Sequence, residues 1–237
     1  MAASGHFQNQ ESSHGRKMTS CKISIANRKC HKRVVESAAR NSRVAVADVT
    51  SKSSSPDFVV FSPFRPYKDV DGRPYFKVPG MDGKRSCTVE GVWQGLKVFE
   101  HEGVDATKFT VTKGKGIKRS VRAKNRGRVL GHQYGKEELL DYVTARKQIY
   151  LPLYEQLLQH PEAQASLSKL FQLALKSDEL ILLDYETNED INCVKKPLSH
   201  ASLVKKELEK MLLASEEDND DQKDRKKRTW SQREDNV

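Results

Sequence analysis

Apolar residues follow two spacings along the chain, and each spacing predicts a different kind of element. Val, Ala and Asp alternate over residues 44–49, which predicts a β-strand, and a short apolar run at 58–61 predicts a second strand. The longer apolar run within residues 179–185 predicts a strand that is buried on both faces. The chain therefore contributes several short strands to its core.

Helical spacing dominates the second half of the chain. Apolar positions recur with this spacing between residues 139 and 157, although Pro152 lacks the backbone donor and must kink or split that helix. Pro161 suits the first position of the next helix, and Ser199 or Ser202 can cap a last one. The pattern predicts a helix-rich α+β domain with a few short strands over residues 22–213. We expect disordered tails at 1–21 and 214–237.

Composition excludes several classes of protein. The chain has 237 residues, of which 36% are hydrophobic and 31% charged, and no apolar run approaches the roughly 20 residues of a membrane-spanning helix. Four cysteines without a C-x-x-C pair argue against a disulfide framework and a zinc site, and indicate a reducing compartment. Nucleotide-loop and hydrolase motifs are also missing from the sequence. We therefore expect no cofactor and no metal.

Positive charge is concentrated in one segment of a chain whose net charge is +10. Residues 107–128, here called the basic segment, contain nine Lys or Arg and no acidic residue. Such a segment attracts the phosphates of a nucleotide or of a nucleic acid, but it is equally typical of a solvated surface loop. The nine are Lys108, Lys113, Lys115, Lys118, Arg119, Arg122, Lys124, Arg126 and Arg128.

The terminal segments bear on localisation. The first twenty residues are polar and lack the apolar core of a secretion signal, although a basic, Ser-rich and acid-poor start is also typical of an organelle transit peptide. The basic cluster at 223–228 resembles a nuclear import signal, or is simply part of a charged tail. We expect a cytoplasmic or nuclear protein, with organelle import left open.

The segment 87–99 offers the most specific chemistry. On a helix, Glu90, Gln94 and Lys97 would stand at i, i+4 and i+7 and share one face. A carboxyl group can shuttle a proton, an amide can hold sugar hydroxyls, and a buried lysine can attack a sugar aldehyde. The alternative is an ordinary amphipathic helix with a Glu/Lys stripe in solvent.

This segment resembles the signature helix of the NADAR (NAD- and ADP-ribose-associated) superfamily. The superfamily pattern runs from Glu through Gln-x-x-Lys to an aromatic residue, and its positions here are Glu90, Gln94, Lys97 and Phe99. The flanking stretches are similar to a less characterised branch of the superfamily. These stretches are 48–51, 62–64, 89–99, 118–119, 131–132, 145–150, 184–188 and 197–201.

The resemblance implies a NADAR-like fold with a pocket for an ADP-ribose-like ligand. Members cleave N-glycosidic bonds in phosphorylated riboflavin-pathway intermediates or in ADP-ribosylated guanine, so the expected partner is a phosphorylated ribosyl small molecule or an ADP-ribosylated nucleobase. Lys97 would be catalytic, with Glu90 as its electrostatic and acid–base partner. The superfamily has a late acidic residue followed by Trp-Gly, and this chain has Asp184-Tyr185-Glu186 instead. The departure is compatible with a different substrate or with a loss of activity.

Other side chains are candidates for substrate binding, each with a plainer alternative. Trp93 can stack on a base or belong to the core, and Arg146 can reach the pocket or simply stabilise the helices. Polar groups after a buried strand often face a pocket, but they also form turns and caps. A second function also remains: a non-catalytic module that binds ADP-ribose or nucleic acid through the basic segment. The candidates are Trp93, Gln94, Lys118, Arg119, His132, Arg146, Asp184 and Asn188.

Overall fold

The computed structural model describes residues 21–119, 125–136 and 138–234, with side chains as far as residue 217. The strands are β1 (Lys22–Asn27), β2 (Val44–Asp48), β3 (Phe76–Lys77), β4 (Arg85–Ser86), β5 (Lys97–Phe99), β6 (Val129–Tyr134), β7 (Glu138–Leu140) and β8 (Glu179–Asp184). The helices are α1 (His31–Ala38), α2 (Val89–Gly95), α3 (Tyr142–Ala145), α4 (Leu151–Gln159), α5 (Pro161–Leu175) and α6 (His200–Glu234). The predicted fold class, a helix-rich α+β domain with a few short strands, is confirmed.

A three-stranded parallel sheet lies at the centre of the fold. Strand β8 runs between β1 and β2, and both neighbours are parallel to it. Its leucines Leu180, Leu182 and Leu183 are fully buried, which explains the continuous apolar run of this strand. The strands predicted at 44–49 and 179–185 are both confirmed. The carboxyl ends of β2 and β8 meet at one edge of the sheet, where parallel strands commonly present polar residues to a ligand.

A second sheet carries the residues that follow α2. Strands β5, β6 and β7 are antiparallel in that order, and Lys97 on β5 pairs directly with His132 on β6. Helix α2 packs closely against the 3-10 helix Ala106–Thr110 because Gly95 has no side chain. A Cβ at that position would overlap the ring of Phe109. The short strands β3 and β4 form a separate antiparallel pair.

The helices cover the parallel sheet and enclose the core. Helix α5 packs against α4, α6, β2 and β8, and Leu167, Leu170 and Ala174 are buried on it. Pro161 occupies its first turn, as predicted, with His160 as the N-cap. The expected disruption at Pro152 is also found: the turn Arg146–Tyr150 is a π-helix between α3 and α4. A π turn accommodates a proline that cannot donate to the α-helical ladder.

Two secondary-structure predictions were wrong. The run 58–61 contains a 3-10 helix at Val59–Phe61 instead of a strand, because Ser55 and Phe58 accept its backbone N–H groups locally. The predicted helix from residue 139 begins only at Tyr142, since Leu139 belongs to β7.

The two predicted tails fare differently. The predicted N-terminal tail covers residues 1–21. Residues 1–20 lie outside the described residues, and Cys21 is buried. Helix α6 runs on to Glu234, where a disordered tail was predicted from residue 214. The Glu, Gln, Lys and Arg residues of this stretch have high helix propensity, which offsets its lack of apolar residues. In the described part of the chain, no helix combines the length and apolarity needed to cross a membrane.

Candidate active site

A cavity of about 450 Å³ opens at the carboxyl ends of β2 and β8, between α2 and the start of α6. This volume is within the range of small-molecule sites, roughly 300–1,000 Å³. Most of the predicted site residues contribute to its wall, although they come from four separate parts of the chain. The predicted residues that line it are Glu90, Trp93, Gln94, Lys97, Lys118, Arg119, Arg146 and Asp184.

Glu90, Gln94 and Lys97 form a hydrogen-bonded chain along one wall of the cavity. Gln94 Nε2 donates to Glu90 Oε1 at 2.9 Å, and Lys97 Nζ donates to Gln94 Oε1 at 3.2 Å. The predicted helical face was wrong for Lys97, because α2 ends at Gly95 and Lys97 lies on β5. The three side chains nevertheless lie in contact, because the backbone turns at Leu96 and the Lys97 side chain lies in the same cavity wall as Gln94. Gln94 therefore connects the acid to the amine.

The beginning of α2 is fixed by local hydrogen bonds. Thr88 Oγ1 accepts the N–H of Gly91 at 2.8 Å and caps the helix. The N–H of Glu90 itself donates to the carbonyl of Pro63 at 2.9 Å. These bonds leave little freedom for the backbone that carries the Glu90 carboxyl group.

Burial shifts the pKa values of the acid and the amine towards their neutral forms. Desolvation raises the pKa of Glu90, although the Gln94 hydrogen bond and the nearby lysines oppose this. Desolvation also lowers the pKa of Lys97. The charge of Glu90 opposes this, whereas the positive charges of Arg119 and Lys118 lower the pKa further. Perturbed titratable groups in a cleft are typical of catalytic sites. Here both shifts have the direction that a proton donor and a nucleophilic amine require.

Asp184 and His200 form a buried ion pair on the opposite wall. His200 Nδ1 lies 3.0 Å from Asp184 Oδ2, and His200 Nε2 lies 2.9 Å from the carbonyl oxygen of Val49. Both partners are acceptors, so both ring nitrogens donate and the ring is an imidazolium. Burial alone would lower the pKa of His200, but Asp184 outweighs it and raises that pKa. His200 was not among the residues predicted for the site.

The carboxylate of Asp184 also helps to begin α6. It accepts the hydroxyl of Ser199 at 2.7 Å and the N–H of Ala201 at 3.3 Å. Despite burial, the charge and hydrogen bond of His200 keep the pKa of Asp184 below its ordinary value. Asp184 thus lies in the cavity wall as predicted, but its Oδ2 is occupied by groups at the start of α6 and its Oδ1 accepts the N–H of Tyr185 at 2.6 Å.

Arg119 supports the site from behind and does not offer its guanidinium to a phosphate. Its Nη1 donates to the carbonyls of Lys97 at 2.6 Å and Gln94 at 3.1 Å, and its Nη2 donates to Gly103 at 2.7 Å. Its side chain is fully buried and also pairs with Glu102. The prediction of a phosphate-binding Arg119 is corrected: the guanidinium holds the turn between α2 and β5 and so places Lys97.

Arg146 has a similar supporting role on another wall. It is 2% exposed and donates to the carbonyls of Ile191, Cys193 and Lys196 at 2.6, 3.0 and 3.1 Å. Its guanidinium also lies over the ring of Tyr142 at 4.6 Å. Of the two predicted roles, the one that stabilises the protein is favoured, because these bonds hold the loop that leads to α6.

Trp93 and His132 form an aromatic wall beside Lys97. Their rings stack with centroids 3.9 Å apart, while Tyr142 and Tyr150 meet the indole edge-on. Trp93 is half-buried and lines the cavity, so it combines both predicted roles of packing and lining. His132 is buried behind it and does not reach the cavity of about 450 Å³.

Asn188 does not belong to the cavity wall. Its Nδ2 donates to the carbonyls of Asp190 at 3.0 Å and Lys196 at 3.4 Å, and its Oδ1 accepts the N–H of Asp190. The prediction that Asn188 binds the substrate is corrected. Its side chain closes the loop after β8, which is the structural role that such residues commonly have.

Lys118 lies where the cavity meets a neighbouring chamber. That chamber of about 650 Å³ shares Ser51, Ser62, Phe64, Lys118 and Tyr185 with the first cavity. Its other charged lining residues are all basic: Lys52, Arg65 and Lys115. The Lys118 amine also lies 5.5 Å from the centre of the Phe64 ring.

Much of the rest of the basic segment is paired within the protein. Lys108 pairs with Asp105, Arg119 and Arg126 pair with Glu102, and Arg128 pairs with Glu100. Lys113 and Lys115 are exposed. Arg122 and Lys124 lie outside the described residues. The segment is therefore not one continuous phosphate-binding strip over the residues that the structure describes.

The fold and the cavity define an α+β domain with a sheltered polar site at the edge of a parallel sheet. No three acidic, His or Cys side chains of the described ranges lie together as a metal-binding group. A family model described as a family of unknown function, DUF6939, matches residues 27–204, and the chain belongs to this family. No curated protein matches the chain. The resemblance to the NADAR superfamily stays a prediction.

Proposed function

We propose that the protein is an N-glycosidase that hydrolyses the ribosyl N-glycosidic bond of an ADP-ribose-like or phosphoribosyl compound. The observation that carries this proposal is the Glu90–Gln94–Lys97 chain, which brings a buried acid and a half-buried amine to the wall of one cavity. Asp184 lines the same cavity, where its ion pair with His200 fixes part of the wall.

Glu90 and Lys97 divide the first chemical step between them. Glu90 gives its proton to the departing nitrogen as the bond from the sugar C1 breaks, and the Lys97 amine forms a bond to C1. The Glu90 carboxylate then takes a proton from the Lys97 nitrogen. Water next cleaves the bond between C1 and Nζ: its hydroxyl remains on C1, and its other proton returns to Lys97.

The charges around the cavity favour a substrate with a phosphate. Lys118, Lys52 and Lys115 provide cations in the neighbouring chamber, whose wall contains no carboxylate, whereas Arg65 of that wall already pairs with Glu162. The stacked Trp93 provides an aromatic surface for the sugar or base. Nucleic-acid binding through the basic segment is the weaker alternative, because four of its basic side chains already pair with acids of the protein.

The decisive experiment measures release of the free base from a panel of ADP-ribosylated guanosine and phosphorylated ribosylaminopyrimidines. We expect Lys97→Met and Glu90→Gln each to lower kcat by about 100-fold or more, which is typical of lost nucleophilic or general-acid groups. Lys113→Ala is the matched control, since this exposed lysine of the basic segment lines neither cavity. Turnover that survives Lys97→Met would refute the assignment.

A further inference from the structure

A second, smaller cavity reaches Lys97 from the side of the antiparallel sheet. It measures about 290 Å³ and is lined by Lys97, Val129, Leu130, Gly131, His132 and Tyr142. Lys97 and Tyr142 also line the cavity of about 450 Å³, so these two side chains lie between the larger and the smaller cavity. Val129 and Leu130 are 40% and 43% exposed, which places the mouth of the smaller cavity at the protein surface.

His132 gives this cavity a polar interior. The side chain is 1% exposed, and neither Nδ1 nor Nε2 makes a hydrogen bond of good geometry with a described residue, although the backbone of Trp93 lies near enough to oppose the lowering of the His132 pKa. A buried polar group in a native protein is almost always hydrogen-bonded to protein or to ordered water. The stack on Trp93 fixes the plane of the ring without satisfying either nitrogen. A water molecule in the adjoining cavity would satisfy this requirement.

The register of the sheet brings that water close to the reacting amine. His132 and Lys97 are directly paired residues of the antiparallel strands β6 and β5, so their side chains lie on the same face. A cavity holds water when it offers two or more polar partners, and the imidazole and the Lys97 amine are two. Burial lowers the pKa of His132 to about 3, so its ring is neutral and has one donor and one acceptor.

We propose that the smaller cavity is the water inlet of the site, and that His132 holds the water that attacks C1 in the adduct with Lys97. This inference rests on the proposed function. In the step, the water oxygen bonds to C1 and the C1–Nζ bond breaks. One water proton stays on the new hydroxyl group and the other passes to Nζ, so His132 directs the water without a net gain or loss of a proton.

The test uses ADP-ribose and does not require the natural substrate. The ribose aldehyde forms an imine with Lys97 and expels water, and the reverse reaction in ¹⁸O-labelled water places the label on C1. Mass spectrometry follows this exchange in the full-length protein. Borohydride reduction of the same mixture at equilibrium measures the amount of adduct on Lys97. The first readout reports the water step, and the second reports the lysine chemistry itself.

Four variants separate the water inlet from a structural role. His132→Phe keeps the stacking ring, and we expect exchange to fall about tenfold with the equilibrium adduct unchanged. His132→Gln restores a hydrogen-bonding group and should recover most of the exchange rate. Leu130→Trp fills the cavity from its exposed rim and should slow exchange with His132 intact. Leu175→Trp is the matched control, because Leu175 is similarly exposed and lies outside both cavities.

The outcomes distinguish this inference from the proposed function. An adduct in the wild-type protein with unchanged exchange in His132→Phe and Leu130→Trp overturns the water inlet and leaves the lysine chemistry standing. If no adduct forms on Lys97 at all, the proposed function fails together with the inlet. If His132→Phe does not fold, Leu130→Trp decides the question, since its substitution lies at the surface.

Discussion

Replacement of Arg146 by methionine tests how the cavity wall is held. Three carbonyl groups of the 190–196 loop accept hydrogen bonds of 2.6–3.1 Å from this guanidinium, which is 2% exposed. A hydrogen bond from a charged donor contributes about 1.5–3 kcal/mol. The freed carbonyls lie on a loop that water can reach, so we take the lower end of that range for each bond. Arg146→Met should therefore lower the free energy of unfolding by about 3–5 kcal/mol.

Urea denaturation measures this loss, and amide hydrogen exchange locates it. We expect the midpoint to fall, and exchange to accelerate most over residues 188–199, because the loop loses its anchor before the parallel sheet does. Arg146→Lys is the matched variant: it keeps the charge but cannot reach three carbonyls in one plane, and it should lose about half as much. A loss below about 1 kcal/mol in Arg146→Met, or exchange that accelerates evenly throughout the protein, would refute this account of the loop.

Two further predictions concern packing and pH. Gly95→Ala places a methyl group against the ring of Phe109 and should lower the free energy of unfolding by about 1–3 kcal/mol. The shift of the urea midpoint measures this loss, and an unchanged midpoint would show that α2 does not pack tightly against Phe109. The raised pKa of His200 means that the folded state binds its proton more tightly than the unfolded state. The stability that this group contributes is fully present below pH ~6.5 and declines as pH rises through the folded pKa. The free energy of unfolding of the wild type should therefore fall more between pH 6 and 8 than that of His200→Gln. Parallel plots of unfolding free energy against pH for the two proteins would contradict the ion pair.

Local patterns in the sequence account for several elements and for one half of the site. The buried run of β8 and the proline at the start of α5 are encoded by neighbouring residues, because burial on both faces and a missing N–H act within one element. The hydrogen bond between Glu90 and Gln94 is likewise predictable, since residues four apart on a helix are neighbours.

Only the tertiary structure decided the rest of the site. Lys97 stays beside Gln94 although it has left the helix, because Arg119, 22 residues further along the chain, binds the carbonyls at the turn between α2 and β5. The pairing of His132 with Lys97 depends on the register of β5 and β6, and the pairing of Asp184 with His200 depends on where α6 begins.

The sequence determined which groups could do chemistry, and the tertiary structure decided which of them are free to do it. Arg119, Arg146 and Asn188 have the residue types of a binding site, but their polar groups bind backbone carbonyls of the protein. A spacing rule sees only contacts within one helix or strand. Whether a charged side chain faces a ligand or a carbonyl depends on chain segments that are distant in sequence and adjacent only after folding.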